Sequence, residues 1–238
     1  MVKYVEIKHN GNFIRGLHHY NNSKKIVIFL HGFTGNKNES HFSFARQARL
    51  FDKNNIDSIR LDYYGSGDSD GEFKDMDFYD LIKQGMKIID YVKSLGYKKI
   101  YLEGMSMGGA LAIKLANPDI SKLILISPAI NMKQLTQNIF NNNLILPNGN
   151  ASFGSLELSR KFKDSVEQID LFEDIIHLNI PTLIIQGTND KAVPYENALT
   201  VQQKIENSTL VTVDSADHLY SSKQYMDILF SNILNFIK

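Results

Sequence analysis

The sequence predicts an α/β protein with a doubly wound, mostly parallel sheet, and three observations carry that reading. Continuous apolar runs ending in glycine or a turn, such as Ile26 to Gly32 (IVIFLHG) and Pro181 to Gly187 (PTLIIQG), suit strands buried on both faces. Segments with apolar residues at helical spacing lie between them, as at Phe42 to Phe51 and Phe78 to Leu95. The two patterns alternate along most of the chain, which is the signature of strand–helix–strand units.

In order, Val2 to Lys8 and Phe13 to Tyr20 read as strands joined at Asn10-Gly11, a pair whose tolerance of positive φ makes it the strongest short hairpin signal. The run from Ile26 is the first buried strand. The helix over Phe42 to Phe51 leads into a strand at Ile56 to Asp62, and the helix over Phe78 to Leu95 into a strand at Lys98 to Gly104. A short helix follows and stops near Asn117-Pro118. Lys122 to Ser127, Pro181 to Gly187 and Thr209 to Val213 are further strands, and Met226 to Ile237 is the last helix. Right-handed crossovers restrict the topology.

One stretch breaks the rhythm. Between Pro128 and Pro181 no strong strand signal occurs, NNNLILPNGNASFG reads as loop, and Leu156 to Phe162 reads as helical. A structureless loop of that length is out of keeping with a compact domain. The expectation is a core domain of residues 1–128 and 181–238, with 129–180 as a small cap inserted after the sixth strand.

Composition removes several classes of function. Lys+Arg and Asp+Glu balance at 26 each, so no positive field draws nucleic acid or an anionic membrane. There is no cysteine, which excludes disulfides, thiol catalysis and Cys-ligated zinc. The N-terminus carries charge in every short window, unlike a secretory signal, and no run approaches the roughly 18 apolar residues of a membrane span. The expected location is the cytoplasm.

The chemistry centres on Tyr101 to Leu115 (YLEGMSMGGALAIKL). Gly104-Met105-Ser106-Met107-Gly108 fits G-x-S-x-G with an apolar strand before it and an apolar helix after it, the context that lifts a serine clear of a sheet edge. The plain alternative is a serine capping a glycine-rich turn. A serine hydroxyl needs a base. Among seven histidines, His218 in SADHLYSS follows the last strand at the same sheet edge; His9, His18, His19, His41 and His177 suit packing or solvent roles. The base needs a carboxylate partner. Asp190 in QGTNDKAVP is the first candidate and Asp214 the second, while Asp217 is too near His218 in sequence to face its ring easily. The oxyanion donors are expected to be the N–H groups of Met107 and of Phe33, in the bend that Gly32 permits. Substrate contacts are expected from His31, Gly32 and Thr34, from Phe140 and Leu144 in the cap, and from Val193.

Two look-alikes fail on inspection. SGDSDGEFKDMD approaches a calcium loop, but Ser66 stands where the first Asp belongs and Asp77 where a Glu is expected. Its glycines also miss the dinucleotide pattern, and no H-E-x-x-H occurs, so no metal is expected.

HGFTG, RLDYYGSGDSDG, GMSMGGALA, GTNDKAVP and ADH, in that order, resemble the α/β-hydrolase superfamily across nearly the whole chain. Within it the sequence is most similar to small bacterial feruloyl (cinnamoyl) esterases and monoacylglycerol-lipase-like esterases. The resemblance implies an eight-stranded sheet, no cofactor, Ser106 as nucleophile, His218 as base, Asp190 as acid, and Phe33 and Met107 as oxyanion donors. It also implies a small-molecule ester as substrate, with a homodimer as a possible assembly. Cinnamoyl esterases often offer a cap tyrosine to the phenol, yet no tyrosine lies between Tyr101 and Tyr195 here. A serine aminopeptidase or thioesterase uses the same triad, and a non-catalytic binder on this scaffold is the reading from a different class.

Overall fold

The chain turns at Asn10-Gly11, with φ of 49° and 87°, and pairs β1 (Val2–His9) antiparallel to β2 (Asn12–His19). The computed structural model describes all residues, Met1–Lys238. After the hairpin come β3 (Lys25–Leu30), a 3-10 turn (Ser40–Phe42), α1 (Ser43–Asp52), β4 (Asp57–Leu61), a second 3-10 turn (Phe73–Asp75), α2 (Phe78–Ser94), β5 (Lys99–Met105), α3 (Met107–Leu115) and β6 (Ile120–Ile126). Then follow α4 (Met132–Asn142), β7 (Ala151–Phe153), β8 (Leu156–Leu158), α5 (Arg160–Glu167), α6 (Leu171–Ile176), β9 (Thr182–Gly187), α7 (Tyr195–Lys204), β10 (Ser208–Val213) and α8 (Lys223–Ile237).

Eight strands form one sheet in the order β1-β2-β4-β3-β5-β6-β9-β10. Only β2 runs against its neighbours, and every other pairing is parallel. The central strands are apolar on both faces because both faces are covered. Ile28, Leu30, Leu102, Leu123, Leu125 and Ile184 pack under α2, α3 and α7. The alternate residues, including Val27, Phe29, Tyr101 and Ile185, pack against α1 and α8. The helix starts are written into the sequence: Asp77 accepts from Asp80 N–H at 2.8 Å, and Ser222 accepts from Tyr225 N–H at 3.1 Å. The helix α3 buries every residue but Lys114, as an all-apolar helix must.

The stretch after β6 departs from the sequence expectation in two details. The Asn/Gly-rich segment taken as loop ends in a strand, since Ala151–Phe153 pairs with Leu156–Leu158 in a short antiparallel hairpin. The helical pattern placed over Leu156 to Phe162 begins only after that strand, where Ser159 accepts from Phe162 N–H at 3.1 Å and starts α5. Hairpin, α4 and α5 stand beside the C-terminal edge of the sheet. By contrast, α6 packs on α3 and α7, tied to α3 by Lys114–Asp174 at 2.8 Å.

Candidate active site

Ser106 sits between β5 and α3 with φ 55° and ψ −116°, a conformation that L-residues avoid. Close backbone contact holds it there. A Cβ on Gly104 would lie 2.1 Å from the Gly108 carbonyl oxygen, and one on Gly108 would lie 1.9 Å from that of Leu30. Only glycine admits both approaches, which accounts for the glycines of the motif. Ser106 N–H donates to Ile126 C=O at 2.9 Å, and Ser106 C=O accepts from Ala129 N–H at 3.1 Å, so the turn is pinned to β6 and the segment after it.

His218 lies in the loop after β10, and its Nδ1 meets Asp190 Oδ2 at 2.7 Å. The Asp190 side chain is fully buried behind the ring. Its Oδ1 accepts from Ala192 and Val193 N–H at 2.9 and 2.8 Å, and its Oδ2 also accepts from Gln186 Nε2 at 2.9 Å. Burial alone would push this acid up, but His218 and the two N–H donors outweigh burial and hold it below the usual carboxylate range. Asp214, the second candidate, accepts from Thr188 Oγ1, and Asp217 accepts from Ser221. Tyr220 anchors the histidine loop from beneath by donating to Ile185 C=O at 3.0 Å. Ser106 and His218 line one cavity, and no hydrogen bond joins them. Such contacts commonly tighten only when substrate arrives.

The loop after β3 forms the opposite wall. Its Gly32–Phe33 peptide has its carbonyl held by Gly35 N–H at 3.1 Å and by His31 Nδ1 at 2.9 Å. Tyr63 N–H donates to His31 Nε2, which places the ring proton on Nδ1. Burial pushes the His31 imidazole down, consistent with a neutral ring. Because the peptide is trans, Phe33 N–H points away from that clamped carbonyl. Neither Phe33 N–H nor Met107 N–H donates to a loop, cap or side-chain acceptor. Phe33 itself is the hub of an aromatic cluster, 5.3 Å from Phe73, 5.6 Å from Phe153 and 5.7 Å from Phe162 between ring centres.

The cavity between these walls measures about 430 Å³. Ser106, His218, Met107, Phe33, Gly32 and Thr34 line it, as does Val193. Three expected contacts do not. His31 is buried beneath the loop, its ring 3.9 Å from that of Tyr63, and serves the backbone. Phe140 turns toward α5, where Lys163 Nζ lies 5.8 Å from its ring centre. Leu144, past the end of α4, is 72% exposed. The α4 face that reaches the cavity is Met132, Leu135, Thr136 and Ile139, a helical stripe visible in the sequence but not singled out there. Gln186 and Glu39 were also missed. Gln186 carried a signal, as the one polar side chain in an otherwise apolar strand end. Glu39 carried none, because its carboxylate reaches Gly32 only through the fold of the loop.

Among the residues there is no group of three or more His, Asp or Glu placed to hold a metal. Asp68 and Asp70, from the calcium-like stretch, pair instead with Lys37 and Arg15, both at 2.5 Å. No helix is long and apolar enough to cross a membrane.

Comparison with known proteins agrees with the fold. The AB hydrolase superfamily protein YisY of Bacillus subtilis is 25% identical, over 88% of this chain and 91% of its own. The structure of Est1E from Butyrivibrio proteoclasticus with ferulic acid bound superposes with a TM-score of 0.86 at 24% identity, over 98% of this chain and 97% of that one. An esterase of Pyrococcus furiosus gives 0.78 at 21%, over 100% and 90%. Residues 163–227 match the model of a TAP-like protein family. Residues 21–174, more than half of the chain, match the model described as serine aminopeptidase, S33, and the chain therefore belongs to that family, within the α/β-hydrolase superfamily.

Proposed function

We propose that this hydrolase is a serine carboxylesterase acting on small to medium esters with an apolar acyl or aryl group. The observation that carries the reading is the strained Ser106, facing the same apolar cavity as an imidazole held by a buried carboxylate. In the proposed cycle Ser106 Oγ attacks the ester carbonyl and His218 takes its proton. Asp190 stabilises the imidazolium, and the oxyanion is met by Phe33 and Met107 N–H. His218 then gives the proton to the leaving alcohol, and water clears the acyl-enzyme with the same groups in reversed roles. Each oxyanion donor contributes about 3 kcal/mol to the transition state by analogy with a protease case.

The lining favours an ester over the free amine that the family's name suggests. An aminopeptidase needs carboxylates to hold the substrate's ammonium. The cavity's one carboxylate, Glu39, accepts two backbone N–H groups. Two further carboxylates between β6 and β9 that an amine could call on are placed elsewhere: Asp164 on α5 does not line the cavity, and Asp170 caps α6. Est1E binds ferulic acid, and an aryl acyl group fits the Met- and Phe-rich wall here. With no tyrosine in the cap, Thr136 is the hydroxyl on α4 that a phenol would meet.

Replacing Ser106 by Ala is expected to abolish turnover of p-nitrophenyl esters and labelling by a fluorophosphonate probe, with the thermal transition unchanged. Full turnover by the purified variant would refute the nucleophile. A panel of acyl esters, methyl ferulate, an acyl thioester and aminoacyl amides separates the sister activities. Absence of fluorophosphonate labelling in the wild type would favour a non-catalytic binder.

A further inference from the structure

Glu39 stands out on independent grounds. Its backbone has φ 56° and ψ 170°, a region that is essentially glycine's own. A chain does not hold a glutamate there without compensation, and the compensation is visible. Glu39 Oε1 accepts from Gly32 N–H at 2.5 Å, and Oε2 from Ser40 N–H at 2.9 Å. Both are charge-assisted bonds, about twice as strong as neutral ones. Glu39 N–H donates to Asn36 C=O at 2.9 Å, and Glu39 C=O accepts from Phe42 N–H at 3.1 Å, so the residue is tied at every polar group.

The peptide that Glu39 grips is the one just before the peptide carrying Phe33 N–H. The carbonyl of that next peptide is already held by His31 and Gly35. Two clamps on consecutive peptides leave Phe33 N–H one direction. Without the carboxylate, Gly32 is a hinge with no side chain of its own to stop it swinging.

We infer that Glu39 is a positioning residue: its carboxylate fixes the Gly32 peptide so that Phe33 N–H stays aimed at the nascent oxyanion. This inference rests on the esterase reading. Glu39 touches no reacting atom in it, so its removal acts on the transition state far more than on ground-state binding.

The test compares Glu39→Ala, Glu39→Gln and wild type, with kcat expressed per site titrated by a fluorophosphonate. A fraction of misfolded protein then cannot mimic a catalytic loss. Glu39→Ala is expected to lower kcat by about 10–100-fold, on the scale reported for small misplacements of catalytic groups, with KM changed little. Affinity for an alkyl trifluoromethyl ketone, which forms a tetrahedral adduct, falls in step with kcat/KM. Glu39→Gln keeps an acceptor for Gly32 N–H and recovers part of the loss. The inference is overturned if titrated Glu39→Ala turns over at the wild-type kcat, if the loss lies in KM alone, or if the Gln variant is no better than Ala. Should the Ala variant fail to fold, Glu39→Gln decides alone: a lower kcat at constant KM supports the inference, and an unchanged kcat overturns it. A wild type that neither titrates nor hydrolyses esters would defeat the esterase reading instead, so the two failures are distinct.

Discussion

Asp190 accepts four hydrogen bonds, from Gln186 Nε2, Ala192 N–H, Val193 N–H and His218 Nδ1. Every neighbour is a donor, and the site is matched to a carboxylate and to nothing else. Asp190→Asn tests this at the level of one atom. In either amide orientation the new NH2 group faces donors: Ala192 and Val193 on one side, Gln186 and His218 on the other. The imidazole is then driven to the wrong tautomer or the loop shifts. By analogy with the protease case, kcat is expected to fall on the order of 10³–10⁴-fold. The thermal transition should also fall, by the equivalent of about 1–3 kcal/mol for unsatisfied buried groups. Wild-type kcat in Asp190→Asn would remove Asp190 from the proposed triad.

Within β5, three residues before the nucleophile, Glu103 is fully buried, and no well-formed hydrogen bond reaches either carboxylate oxygen. Burial pushes its carboxyl up to about 8 from an ordinary 4.5, the amide of Gln47 on α1 offsetting only part of the rise. The consequence for β5 and its neighbours has a definite sign. Below the unfolded value both states hold the proton, and Glu103 costs nothing extra. As pH rises from there to about 8 the unfolded chain releases its proton and the native one does not, so stability falls until the native group ionises too. At about 1.4 kcal/mol per unit, the loss amounts to roughly a few kcal/mol. Glu103→Gln keeps the shape without the charge. Its thermal transition is expected to match wild type near pH 4, to exceed it increasingly from there to about pH 8, and to hold a constant lead above that, since other titrating groups are common to both proteins. A gap that does not widen with pH would show that Glu103 ionises normally. Elements such as β5 were readable from sequence because each is a run of buried apolar residues closed by a turn. The β7–β8 hairpin was not, because strands of three residues carry no periodicity and their Asn/Gly flanks look like loop. That Ser106, Asp190 and His218 lie at one edge of the sheet was readable for a related reason: each sits in a local turn at a strand's C-terminal end. The cavity contacts around α4 were not: Phe140 and Leu144 were expected and Met132, Leu135, Thr136 and Ile139 line the cavity instead, because an apolar side chain alone does not reveal which face of a helix meets it.

Across the whole molecule, Phe33 joins the parts that have to act together. Its N–H belongs to the candidate oxyanion site, while its ring touches Phe73 before α2, Phe153 in the β7–β8 hairpin and Phe162 on α5. The α5 side of the segment between β6 and β9 is fastened to the start of α2, since Phe78 N–H donates to Ser165 Oγ at 2.9 Å and Lys161 pairs with Asp77 at 2.6 Å. The other end, beyond α4, exposes Leu144 and Ile145. The cavity therefore has one wall continuous with the core, and the aromatic rings of that wall limit what fits above Ser106. Phe162 is 2% exposed and part of the main core, so Phe162→Ala would confound specificity with a stability loss of about 3–5 kcal/mol. Phe153 lines the same space but is only half-buried, which makes it the cleaner probe. Phe153→Ala should enlarge the cavity at small cost in thermal stability and move preference toward longer acyl groups. Each methylene newly buried contributes about 0.8 kcal/mol. With about two of the four extra methylenes newly buried, the ratio of kcat/KM for p-nitrophenyl octanoate to that for the butanoate is expected to rise roughly tenfold, within the range a hydrophobic pocket can discriminate. If the ratio stayed at the wild-type value in a folded variant, the acyl chain would lie elsewhere, and the cap would have to be read as covering the alcohol side of the ester.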